Sequence, residues 1–136
     1  MSVRWDGLFE LQEALRRLPT DLAADAGPIV IEAANDAAAE ITAAYPERTG
    51  DLRNGVHVRV LSGGPFGAAA EVVNRAPHAY MFENGTVARH TEIGANRGSM
   101  PAGHVFIPRI IRHRRQMYAD LKAMIARHGL EVTGDA

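Results

Sequence analysis

The stretch EAANDAAAEITAA, residues 32–44, constrains the chain more than any other. It has no glycine or proline, and alanine loses no side-chain entropy on entering a helix, so this run is committed to one. Read back to Thr20 as an N-cap, the helix spans about 20–45 and carries Val30, Ile31, Ala34, Ala38, Ile41 and Tyr45 on one stripe. Glu32, Asp36 and Glu40 fall on the opposite side. The small alanine face permits close approach, and the helix is expected to lie across a sheet. Gly27-Pro28 predicts a kink or the true first turn. Upstream, Leu8, Leu11, Leu15 and Leu18 recur at three- and four-residue steps and predict a separate helix over about 5–18, ended by Pro19.

Tyr45-Pro46 stops the long helix, because a residue before proline is pushed out of the helical region. Beyond it the period changes. Val56, Val58 and Val60 alternate with His57 and Arg59, predicting a half-buried strand over about 55–62. SGGPFG, Ser62 to Gly67, reads as a turn, and a second strand follows over about 68–74. HAYMFE predicts a third short strand, about 79–83, with Tyr80 and Phe82 on one face, and VFI a fourth over about 104–107. Between them, residues 87–103 are polar and glycine-dotted, and read as a long extended loop. Pro108 suits the first turn of a closing helix over about 108–128, striped by Ile110, Ile111, Met117, Tyr118, Leu121, Met124 and Ile125 and capped by Gly129. Helices and strands are segregated along the chain, which predicts an α+β fold: a small antiparallel sheet against a long N-terminal and a C-terminal helix. At 136 residues the chain is long enough for one core and too short for two, so one domain is expected.

Charge and motifs narrow the chemistry. The net charge of −1 supplies no global attraction to nucleic acid or anionic membrane. Its distribution is uneven, however: residues 1–55 hold five Lys/Arg against ten Asp/Glu, whereas residues 97–128 hold seven against Asp120 alone. Copies meeting acidic surface to basic surface are one reading, and the solvated face of an amphipathic helix is the other. The basic cluster lacks the interleaved aromatics of a nucleic-acid surface. With no cysteine, disulfides and thiolate chemistry are excluded. GxSxG, GxxxxGK[ST] and HExxH are absent. His57, His78, His90, His104, His113 and His128 are scattered; only His90 and Glu92 sit close together, without helical metal-ligand spacing. Glu83 and Glu92 have nothing to fix them as an acid–base pair. The N-terminus lacks a signal-peptide core, and no apolar run is long enough to span a bilayer. No catalytic residue, metal or cofactor is expected.

Three segments in order, RTGDLRNGVHVRV (48–60), APHAYMFENGT (76–86) and MPAGHVFIPRI (100–110), resemble the phage tail-component family typified by the tenth gene product of a lambda-like coliphage. The resemblance runs from about Leu8 to Ile125. It implies fold-specifying roles for Thr49, Gly50, Leu52, Arg53, Tyr80, Phe82, Glu83, Gly85, Thr86, Pro101, Phe106 and Pro108. Thr49-Gly50 would turn helix into strand, with Leu52 packed beneath and Arg53 free to reach a carboxylate. Asn84-Gly85 would form a tight turn with Glu83 at its mouth and Tyr80 and Phe82 in the core. Phe106 and Pro108 would pin the far end of the loop.

The resemblance further implies a structural virion protein of a long-tailed phage or prophage, assembled in the host cytoplasm and acting in tail completion or head–tail joining. Such proteins work as homo-oligomeric rings, usually of six, against a head-completion or stopper ring on one side and tail terminator or tail-tube proteins on the other. No membrane and no sequence-specific nucleic acid are expected, although DNA would pass the lumen. A tail terminator ring is the alternative, and a small binding module or enzyme of a mobile element is the alternative from another class. Subunit contacts are expected at Arg89, His90, Glu92, Arg97, Arg109, Arg112 and Arg115. The loop is expected to be mobile in the free subunit and ordered by its neighbours.

Overall fold

A computed structural model describes residues 8–61 and 69–131, with the side chains of residues 8–15 left aside. The turn at Ser62–Gly67 and the leucines at 8, 11 and 15 as packing residues therefore lie outside what is described, as does Trp5. The elements in order are α1 (Leu8–Ala44), α2 (Asp51–Asn54), β1 (Val56–Leu61), β2 (Ala69–Asn74), α3 (Ala79–Asn84), β3 (Thr86–His90), β4 (Asn96–Met100) and α4 (Phe106–Arg127). The fold is α+β, with its strands in two separate two-stranded antiparallel sheets, β1–β2 and β3–β4.

α1 is continuous for 37 residues, about 55 Å, where two helices were expected. Pro19 and Pro28 lie inside it, and both are on the exposed side. Each removes one backbone bond, and the remaining bonds of a 37-residue helix carry it through. α4 packs antiparallel along it. Glu40 of α1 meets the start of α4, while Asp25 accepts from His128 at its end at 2.7 Å. α4 closes at Gly129 (φ 78°), with N–H bonds from Gly129 to Ala126 O at 3.0 Å and from Leu130 to Ile125 O at 3.4 Å, a Schellman arrangement.

The core is centred on Ile41, Tyr45 and Leu52, with Val56, Val72, Phe82, Phe106 and Ile110 packed around it. The buried stripe of α1 is Ala34, Ala37, Ile41 and Tyr45, turned slightly from the expected one, and this brings Glu40 onto the α4 side instead of the opposite face. β1 and β2 pair from Val56↔Asn74 to Leu61↔Ala69. Val56 and Val58 face inward, but Val60 is 56% exposed, so the expected inward alternation stops short of the end of β1.

Three further expectations are corrected. Residues 79–83 are not a strand: helix α3 turns Phe82 and Glu83 inward and leaves Tyr80 78% exposed, so the two aromatics do not share a face. A short apolar run fits either period, and here the helical one prevails. VFI is not a strand either; it opens α4, with Pro108 in the first turn, where a missing N–H costs nothing. Residues 87–103 are not one extended loop, since most form the β3–β4 hairpin.

Candidate functional site

The three quoted segments converge at one end of α1. In the first, Gly50 (φ 81°) begins α2, Thr49 Oγ1 donates to Asp51 Oδ2 at 3.0 Å, and Leu52 is buried. Arg53 donates from Nε to Tyr45 O at 2.8 Å and pairs with Glu47 at 3.2 Å, which ties α2 to the end of α1. Gly55 follows in a tight corner. A Cβ there would lie 2.2 Å from Asn74 Oδ1 and 2.8 Å from Ala76 N, so the corner admits only hydrogen. Asn74 fills it usefully, donating to Leu52 O at 3.0 Å and accepting from Ala76 N–H at 2.9 Å.

The second and third segments are joined by Glu83, which is 5% exposed. Its Oε2 accepts from the backbone N–H groups of Val105 and Phe106 at 2.9 and 2.8 Å, and its Oε1 from that of Ile107 at 2.8 Å. These are the orphan donors of the first turn of α4, so a side chain from α3 caps a helix more than twenty residues away. Phe82 beside it meets the Tyr45 ring edge-on, with centroids 5.6 Å apart, and burial pushes the Tyr45 phenol up.

This knot clamps both roots of the β3–β4 hairpin. Gly85 (φ 75°) passes so close to the returning strand that a Cβ would sit 2.7 Å from Met100 O and 2.8 Å from Ala102 N. Thr86 Oγ1 accepts from Met100 N–H at 3.0 Å, and Gly103 N–H donates to Phe82 O at 2.8 Å. Pro101 is exposed beside this root. Beyond it the hairpin pairs within itself and stands off the body as an arm. Its turn is stitched by Thr91 and Gly94, with Gly94 N–H to Thr91 O at 2.8 Å. Arg89, His90, Glu92 and Arg97 are all exposed on it, as are Val87 (84%) and Ile93 (92%).

The structure separates the basic residues expected at contacts. Arg109 and Arg112 are engaged within the chain: both meet the Glu40 carboxylate, Arg109 Nε at 3.4 Å, and His113 Nε2 joins them at 2.6 Å. Bonds from Arg112 and His113 hold the Glu40 carboxyl down to about 2. Arg115 is exposed, and Arg114 lies over the Tyr118 ring at 5.4 Å. Sequence reasoning missed Glu40 and His113 as an interhelical cluster, although Arg109, Arg112 and His113 recur at one-turn spacing and so had to share a face of α4. Among the described residues no three His, Asp or Glu converge as metal ligands, and no helix is long and apolar enough to cross a membrane.

Residues 9–85, more than half of the chain, match the model of a family described as "Bacteriophage HK97-gp10, putative tail-component". The match spans the long helix, the α2 corner, the first hairpin and α3, including Glu83 and Gly85. The chain matches no curated protein and no solved structure.

Proposed function

Because this chain belongs to the HK97-gp10-like family of bacteriophage tail components, a family of structural virion proteins, we propose that it is a ring subunit at the head–tail interface of a long-tailed phage or prophage. The observation that carries this reading is the arm. A two-stranded hairpin is marginal in water without a surface to cover it. This one is anchored firmly at its roots and presents Val87 and Ile93 to solvent, a use of apolar side chains that makes sense in contact with another subunit. The uneven charge supports it too, since an acidic α1 and a basic outer α4 favour head-to-tail contact, the kind that closes into a ring when the rotation between copies completes a circle. The adjoining pieces are then the head-side stopper ring and the tail terminator or tail tube. DNA passes through the lumen without sequence-specific contact.

Two measurements test this. Phage produced without the protein should accumulate filled heads and separate tails, and imaged necks should show a ring of the protein between them. Joined, infectious particles lacking it would overturn the assignment. A ring found instead at the tail side of the joint would move the subunit to the terminator position.

A further inference from the structure

We propose that the β3–β4 arm of one copy docks into the acidic cleft between α1 and α4 of a second copy, Ile93 seating on the cleft floor and Arg89 and Arg97 meeting Glu32 and Asp36. This deepens the ring reading and rests on it. The two surfaces are complementary in layout. The arm is an apolar knob, Ile93, 92% exposed, with free guanidinium groups on the strands behind it. The cleft, about 320 Å³, has an apolar floor that includes Ile29, Ala33 and Met117 and a carboxylate rim of Glu32, Asp36 and Asp120.

The charges on both sides are unspent. Among the described residues Arg89, Arg97, Glu32 and Asp36 make no ion pair within the chain, whereas Glu40, one turn along α1, is saturated by Arg112 and His113. The exceptions to the pattern also match: Glu92 on the arm has a counterpart in Arg127 at the cleft. Exposed pairs of this kind add little individually, but across an interface they set register and exclude wrong partners. The helix edge of the cleft is alanine-rich, so a backbone can come close.

The arm and the cleft are different patches of the same chain. Their contact is therefore heterologous, and each copy gives one arm and receives one, as a ring requires. An arm that met another arm would stop at a dimer.

The chain has no cysteine, so paired substitutions report the contact directly. Full-length chain carrying Ile93→Cys together with Ala33→Cys should give, on mild oxidation, a ladder of disulfide-linked species that ends at the closed ring. Ile93→Cys mixed with Ala33→Cys should give dimers, and each variant alone none. Arg89→Glu with Arg97→Glu should weaken association roughly tenfold or more, with Glu32→Arg and Asp36→Arg in the mixed partner restoring it. Sedimentation of the unmodified chain at the same concentrations separates the two failures. Oligomer without a ladder, or dimers from Ile93→Cys alone, overturns the arm-to-cleft contact and leaves the ring standing. A monomer with no ladder overturns both.

Discussion

Replacing Glu83 gives the most direct test of how this fold is held. In Glu83→Ala three N–H groups at the start of α4 lose a nearly buried carboxylate that accepts them at 2.8–2.9 Å. A hydrogen bond to a charged group contributes about 1.5–3 kcal/mol, and the loss of an ordinary N-cap costs about 0.5–2 kcal/mol. Partial rehydration of the frayed turn keeps the total below the sum of three such bonds, so a loss of about 3–5 kcal/mol is expected. That is a large share of a typical folding free energy of about 5–15 kcal/mol. At about 4 °C per kcal/mol, the midpoint should fall by about 12 °C or more. Glu83→Gln keeps the shape and one oxygen but turns an NH2 group toward the donors, and should lose about 2–3 kcal/mol. Urea unfolding of the three proteins, with amide exchange read at Val105, Phe106 and Ile107, checks both size and place. A Glu83→Ala protein within about 0.5 kcal/mol of the parent, with unchanged exchange at those amides, would show that Glu83 does not hold the first turn of α4.

Gly55→Ala should cost about 2–4 kcal/mol by thermal unfolding, since its Cβ would meet Asn74 Oδ1 at 2.2 Å and the corner holds both α2 and β2. Gly85→Ala should cost a similar amount, from a Cβ 2.7 Å from Met100 O on backbone at φ 75°. Glu40 is depressed when folded, to about 2 from 4.5, so its stabilising effect is complete above the unfolded value and is lost as pH falls from about 5 toward 2; Glu40→Gln should flatten the acid limb of stability against pH over that window. In the arm, Val87→Ser with Ile93→Ser should leave the unfolding midpoint within about 1 °C, because both side chains are exposed, while self-association measured by sedimentation falls.

Legibility in the sequence followed burial. The alanine-rich half of α1, the Val56/Val58 alternation and the α4 stripe apart from Ile111, which is 45% exposed, are readable because each element buries one side, and burial imprints a period. The arm left no such imprint. Neither face of β3 or β4 is covered, so Thr86 to Met100 carries no alternation, and pairing there is set by backbone and by Gly94 and Gly98 at positive φ. α3 reads as a strand because Tyr80 and Phe82 mimic a strand face over a segment too short to show a helical period. Pro19 removes only one bond, which is not enough to end so long a helix. Of the residues the resemblance singles out, Leu52 lies in the core and Phe82 and Phe106 pack against it. Glu83 does not stay at a turn mouth but reaches α4, a tertiary pairing that no local pattern encodes. The interhelical role of Glu40 was hidden likewise, because which side of α1 meets α4 is decided by the whole packing.

The placement of Glu83 has a mechanical consequence. Two residues after this cap the chain is already in the tight passage at Gly85, and on the other side Gly103 and Met100 are fastened to Phe82 and Thr86. There is no slack between lever and fulcrum. Between the tip of β3–β4 and the opening turn of α4, which Glu40 ties to the long helix, no free loop is left to absorb a displacement.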